Sequence, residues 1–277
     1  MTDNDDTLKF TPIFVGGAMR TGTSLLQNIL CTAPSANDMM LECQYLTEQL
    51  SLHVHSHQKS DRALEDFFDG KDALTSFSKK IVYDFLRQTY IQQGSPKHLI
   101  LKHPEMTVFF PLLADFLPEA RFIVSARDPK DVVTSMLVVA EKQKKSGRTS
   151  NMVQADRDMS RLTHLFLSFY RGLGDTPEGR IKYIKYEDLV TKTPLLLPEL
   201  SAFLGLDLSG YDPQAIWKYT RPVKYNEAFN TKIRGKSLSN SSIGNYKDKL
   251  SKEEITVIEQ IAGDFMTFFR YPAQSRI

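Results

Sequence analysis

Strand-like apolar runs at 12–16, 98–102, 121–125 and 182–186 each give way to a stretch with helical spacing. Regular alternation of strand and helix predicts an α/β fold: a central parallel sheet covered by helices on both faces. Two stretches, 43–94 and 140–176, break the alternation and read as helical insertions rich in polar and aromatic residues, among them Tyr45, Phe67, Phe68, Phe77, Tyr83, Phe85, His164, Phe166 and Tyr170. Most of these aromatics are assigned to core and the remainder to a pocket under the insertions. Periodicity alone does not divide the two sets. Parallel sheets bind ligands beyond the carboxyl ends of their strands, so chemistry is sought there.

The first run ends in FVGGAMRTGTSLLQ, where a strand breaks at Gly16-Gly17 and restarts at once as a helix. Gly17 and Gly22 enclose four residues, as in a phosphate-binding loop, but Thr23 stands where a nucleotide-hydrolysing loop needs its Lys. Backbone N–H groups at such a turn converge on an anion, and the helix end adds roughly half a positive charge. Arg20, Thr21, Thr23 and Ser24 complete an anion cradle with its cation inside the loop.

A second segment, EARFIVSARDPKDVVTSM, runs from an apolar strand through Arg127-Asp128-Pro129 into a helix. Pro129 suits a first helical turn, and Asp131 suits the dipole of that turn. Arg127 supplies a fork of donors matched to phosphate oxygens. By itself RDPKD reads equally well as a solvated helix start. A third segment, YIKYEDL, carries a strand into Tyr186, and near the end SSIGNYKDKLSKEEITVIEQIAGDFMTFFRYP holds a Gly-x-aromatic turn, a Ser-x-x-Glu cap and an amphipathic helix.

Together these segments resemble the sulfotransferases that use 3′-phosphoadenosine 5′-phosphosulfate (PAPS) as donor, over nearly the whole chain. The resemblance implies a P-loop-type sheet in one sulfotransferase domain spanning 1–277, with residues 16–24 around the 5′-phosphosulfate. It implies that Arg127 and Ser135 hold the 3′-phosphate, and that Tyr186 lies beside the adenine. Lys102, at the end of HLILKHPEM, matches a family Lys and joins Arg20 on the leaving-group side. For the base, Glu42 has the spacing from Arg20 of the tyrosylprotein-type enzymes. His103 is the alternative, offset by one position from the His of the cytosolic branch, and Met106 stands where related bacterial members often have one. Glu42 is favoured as a carboxylate that shielding from water can tune. The C-terminal phosphate clamp of the cytosolic branch is replaced by Ser239-Asn240-Ser241, so Lys232, Arg234 and Lys236 are the candidates to substitute, Arg234 first.

No metal is expected, since the sulfonate carries little charge and the loop neutralises the phosphate. The His53-Val54-His55-Ser56-His57 run lies in a helical context that spreads the imidazoles apart. A net charge of +2 with 41% hydrophobic residues indicates no nucleic-acid partner. Cys31 and Cys43 give no disulfide framework, and MTDNDDTLKF has no signal-peptide character, so a cytoplasmic location away from membranes is expected. The expected acceptor is a small polar or cationic molecule, with Asp38, Glu42, Glu48, Asp61 and Asp156 as its carboxylate candidates. Bacterial members that tailor secondary metabolites, including cyanobacterial enzymes acting on saxitoxin-type guanidinium alkaloids, are nearest in the resemblance. A tyrosylprotein-like enzyme, a P-loop kinase or nucleotidase and a non-catalytic binding protein of the same fold are the competing readings. Oligomeric state is not legible.

Overall fold

The computed structural model describes residues 7–214, 219 and 239–273. Four strands, β1 (Thr11–Gly16), β2 (His98–Lys102), β3 (Arg121–Ala126) and β4 (Ile181–Lys185), form one parallel sheet in the order β2-β1-β3-β4. Each matches a predicted run to within a residue at either end. The chain leaves β1 toward β2 and then crosses back to place β3 on the other side of β1. The strand order therefore reverses between β1 and β3, which is where a parallel sheet opens a ligand crevice.

The helices are α1 (Thr23–Leu30), α2 (Gln44–His57), α3 (Gly70–Gln92), α4 (Phe110–Phe116), α5 (Pro129–Lys145), α6 (Asn151–Ala155), α7 (Met159–Ser168), α8 (Tyr186–Thr191), α9 (Thr193–Leu204), α10 (Lys252–Ile261) and α11 (Gly263–Phe268). Alternation along the strands sends Phe14, Leu99, Leu101, Phe122 and Val124 to one face, where α2, α3 and α4 cover them with Leu46, Leu50, Val82, Leu86 and Leu113. Ile13, Val15, Ile100, Ile123 and Ile184 face α1 and α9. A third cluster joins α5, α6 and α7 to α10 and α11 through Val133, Met136, Leu162, Phe166, Ile258 and Phe265. The second insertion thus packs largely on the C-terminal helices, while the first lies on the sheet.

One further element was not visible in the periodicity. Residues 35–43 run along the outer edge of β2, where the His98 N–H donates to the Ser35 carbonyl at 2.9 Å and the Ile100 N–H to Asn37 Oδ1 at 2.6 Å. The Cys43 N–H donates to the Lys102 carbonyl at 2.9 Å. The side chain of Asn37 does the work of a strand backbone, so the edge is covered without a fifth strand. Among the described residues no helix is long and apolar enough to cross a membrane.

Asp128 caps α5, accepting the Lys130 N–H at 2.9 Å. Burial pushes its carboxyl up from 3.8 to about 6, against the opposing pull of Lys130. The folded chain therefore holds this proton more tightly than the unfolded chain. The group's contribution to stability is fully present below the unfolded value and is lost as pH rises through about 6. Asp128→Asn keeps a capping oxygen and removes the titration. Melting curves should show the variant gaining on the wild type by about 2 kcal/mol between pH 4 and pH 7; a difference independent of pH would refute the buried-carboxyl account.

Candidate active site

β1 ends at Gly16, and the next residues turn so tightly that glycine is required twice. Gly17 has φ 130°, and a Cβ there would collide with the Ser125 carbonyl of β3. Gly22 has φ 92°, and its Cβ would lie 2.5 Å from Tyr186 Cδ2. Gly22 also opens α1, which begins at Thr23 without a side-chain cap. First-turn N–H groups lack intrahelical partners, so those at Thr23 and Ser24 are suited to an anion. The loop between the two glycines is pinned from beneath. Thr21 is wholly buried, its hydroxyl donates to the Ala18 carbonyl at 2.7 Å, and its own carbonyl accepts from Ser125 Oγ at 2.6 Å. Tyr170 accepts the Ala18 N–H at 3.2 Å and donates to the Ser125 carbonyl at 2.9 Å. Burial pushes its phenol far above the ordinary range, which keeps it a neutral brace. The Thr21 side chain thus holds the loop's shape.

Beside this loop, the end of β3 brings in Arg127, only 7% exposed. Its guanidinium donates to the Arg20 carbonyl at 3.0 Å and to the Ser242 carbonyl, and it lies over the Tyr186 ring, 4.6 Å from the centroid. Its Nε is buried without a hydrogen-bond partner. Arg20 donates from Nε to Ser135 Oγ at 3.0 Å. Arg20, Arg127, Ser135 and Tyr186 therefore meet at one pole. The bond to Ser135 ties the Arg20 side chain to this pole, whereas the sequence groups it with Lys102.

The opposite pole lies at the end of β2. Lys102 pairs with Val15 in register, and the His103 N–H donates to the Val15 carbonyl at 3.2 Å, so both residues stand level with the glycine turn. Lys102 is buried, and its Nζ donates to Glu42 Oε1 at 2.7 Å. The edge segment 35–43 delivers Glu42 to that position. Its side chain is 52% exposed, so the shielding from water expected of it is absent. His103 caps the turn Pro104–Phe109 by accepting the Glu105 N–H on Nδ1 at 3.2 Å. Burial lowers its pKa against the pull of Glu42 and Glu105, so it is neutral at pH 7 with its proton on Nε2. An Nε2 that already carries a proton donates; it does not accept.

The remaining candidates divide between this site and other surroundings. Met106 is wholly buried in the apolar cluster under α2 to α4. Asp38 lies close enough to Cys31, the C-cap of α1, to act on its thiol, and Asp156 pairs with Lys144 at 3.8 Å. Glu48 lies near enough to act on His103, as does Glu105, which sequence reasoning missed. His53 is buried on α2, bonded to Ser78 Oγ at 3.0 Å and set edge-on to Phe116. Among the described residues no three His, Cys, Asp or Glu side chains are placed to hold a metal ion. Arg234, Lys232 and Lys236 lie outside the described residues.

The description "Sulfotransferase family" fits residues 12–210, most of the chain. A Caenorhabditis briggsae protein assigned as a protein-tyrosine sulfotransferase is 23% identical over 273 residues, 95% of this chain and 90% of that one. In fold, the chain is similar to the sulfotransferase domain from the curacin biosynthetic pathway, with TM-score 0.56 and 18% identity over 94% of this chain and 98% of that one. It is also similar to the sulfotransferase domain of the Synechococcus PCC 7002 olefin synthase, with TM-score 0.51 and 16% identity over the same shares. With glycine loop, arginine pole and lysine pole arranged about one crevice, and with the family match covering all three, the chain belongs to the sulfotransferase family.

Proposed function

We propose that this sulfotransferase moves a sulfonate group from PAPS to a hydroxyl or nitrogen of a small molecule, acting as one domain in the reducing cytoplasm. The ion pair of Glu42 with Lys102 at 2.7 Å carries the reading. It sets a carboxylate and a buried ammonium side by side, level with the anion loop. The residues around the glycine loop and Arg127 fit the donor. The N–H groups of Thr23 and Ser24 would take the 5′-phosphate, Gly17 and Gly22 leave the backbone bare, and Arg127 has a buried Nε without a partner for the 3′-phosphate. Ser135 lies at the same pole through its contact with Arg20. Tyr186, already stacked on Arg127, would flank the adenine. PAPS supplies an activated sulfonate whose sulfur–oxygen bond breaks as the acceptor–sulfur bond forms.

In this scheme Glu42 takes the acceptor's proton as it attacks, and Lys102 neutralises charge building on the oxygen of the departing adenosine bisphosphate. Their pairing keeps the ammonium occupied until an acceptor competes for the carboxylate. His103, with its proton fixed on Nε2, is suited to donate a hydrogen bond to the acceptor or sulfonate and not to serve as base. The absence of a Lys in the loop disfavours a kinase or nucleotidase. Free thiols at Cys31 and Cys43, both pushed up by burial, suit a reducing compartment.

For the acceptor, Glu42, Glu105 and Glu48 outnumber Lys102 among the charges acting on His103, a balance that opposes acidic acceptors and favours neutral or cationic ones. Exposed Leu41 and Tyr45 flank Glu42 and offer an apolar wall. A peptide tyrosine is the second reading, favoured by the Caenorhabditis briggsae relative.

Glu42→Gln should lower turnover by about a hundredfold or more while PAPS affinity stays within about twofold, and His103→Ala should keep at least about a third of turnover. Steady-state kinetics with direct donor titration checks this, and a dead His103 variant beside an active Glu42 variant would exchange the two roles. With sulfur-labelled PAPS, a panel of phenols, steroids, amines, guanidinium compounds, glycans and tyrosine peptides should label neutral or cationic small molecules first. Preferential labelling of acidic tyrosine peptides or glycans would overturn the acceptor assignment.

A further inference from the structure

Asp131 lies one turn into α5, where a solvated carboxylate would merely complement the helix dipole. It is only 2% exposed, and both its oxygens are taken by backbone groups far along the chain. Oδ2 accepts the Gly244 N–H at 2.8 Å, and Oδ1 accepts the Tyr246 N–H at 3.2 Å. These N–H groups open the helical turn Asn245–Asp248, whose N-cap Gly244 has φ 78° and no side chain to cap it. Two residues before Gly244, the Ser242 carbonyl accepts from Arg127. Asp131 Oδ2 is itself 3.9 Å from Arg127 Nη2.

The neighbouring residue fastens the same C-terminal segment elsewhere. Lys130 is wholly buried, with Nζ 3.0 Å from Glu259 Oε1, 2.8 Å from the Pro272 carbonyl and 5.2 Å from the centre of the Tyr246 ring. Glu187 accepts the Asp128 N–H at 3.0 Å and the Tyr271 hydroxyl at 2.9 Å, closing the seam from the β4 side. The first turn of α5, which begins two residues after Arg127, is thus the dock for the C-terminal segment.

We infer that Asp131 is a positioning residue for the 3′-phosphate pole, holding the turn at Gly244–Tyr246 so that Ser242 fixes the Arg127 guanidinium; this rests on the PAPS reading above. Arg127 spans two carbonyls, one on the glycine loop and one on the C-terminal turn. Its fork keeps a set direction only while both stay in place. Removing the carboxylate leaves two N–H groups without acceptors and frees the second carbonyl to move. Arg127 remains, but its aim is lost.

The test compares adenosine 3′,5′-bisphosphate with adenosine 5′-phosphate by calorimetry on wild type, Asp131→Asn, Arg127→Ala and the double variant. Asn keeps the size of the side chain but offers one acceptor in place of two, so bisphosphate affinity should fall about tenfold while adenosine 5′-phosphate changes by less than about twofold. In the Arg127→Ala background Asp131→Asn should add less than about twofold, since its effect passes through that guanidinium. Equal losses for both nucleotides, or losses that multiply in the double variant, would overturn the inference. On the wild type, which needs no variant to fold, amide exchange at Gly244 and Tyr246 should slow with the bisphosphate and not with adenosine 5′-phosphate; equal protection by both counts against it. A wild type with no preference for the bisphosphate overturns the PAPS reading itself, and the inference with it.

Discussion

Gly17 lies against the Ser125 carbonyl with no space for a Cβ, and this close approach of β1 to β3 sets the position of everything around the crevice. With the two strand ends in contact, the glycine loop and the Arg127 turn become neighbours although they are about a hundred residues apart. Ser125 Oγ, Thr21 and Tyr170 then knit the loop to β3 from below. A rigid loop keeps its N–H groups aimed before any anion arrives. Such preorganisation is what stabilises charge developing on a leaving group without reorganisation at the moment of reaction.

The two ends of the crevice are built by different physical means. At the Arg127 pole, buried charges are matched closely: Lys130 with Glu259 and Asp128, Asp131 with backbone N–H groups, Glu187 with Tyr271. Buried ionic groups persist only with such partners, and here the partners come from the C-terminal segment. At the Lys102 pole a buried ammonium meets a half-exposed carboxylate. Under the proposed reading, donor recognition rests on the packed end and acceptor access on the half-exposed carboxylate.

Strand positions were legible because four buried parallel strands must each be short, apolar and bounded, and Gly16-Gly17 and Arg127-Asp128-Pro129 mark where two of them stop. Boundaries slipped at Tyr186, which starts α8 where a strand end was read, because a strand and the first residue of a helix share the same apolar character. The 35–43 edge segment was invisible, since Asn37 replaces backbone pairing with a side-chain amide that leaves no periodic trace. Glu42 was read from the resemblance, through its spacing from Arg20, and it lies against Lys102, though the shielding expected of it is absent. Arg20 was read by its place in the loop; its backbone takes φ 72° there and its side chain bonds Ser135, a contact that the loop pattern does not announce. Asp131 was read as a dipole partner because its true partners lie more than a hundred residues on. Local propensity carries no information about such contacts.

On the proposed reading, a glycine loop without a Lys, set against Arg127, selects a donor carrying a 3′-phosphate. Calorimetric titration of the wild-type protein with adenosine 3′,5′-bisphosphate, and separately with ATP and magnesium, tests it most directly. The bisphosphate should bind saturably, one to one, and ATP with magnesium should give no measurable heat. Binding of ATP with magnesium as tight as that of the bisphosphate, or tighter, would contradict it.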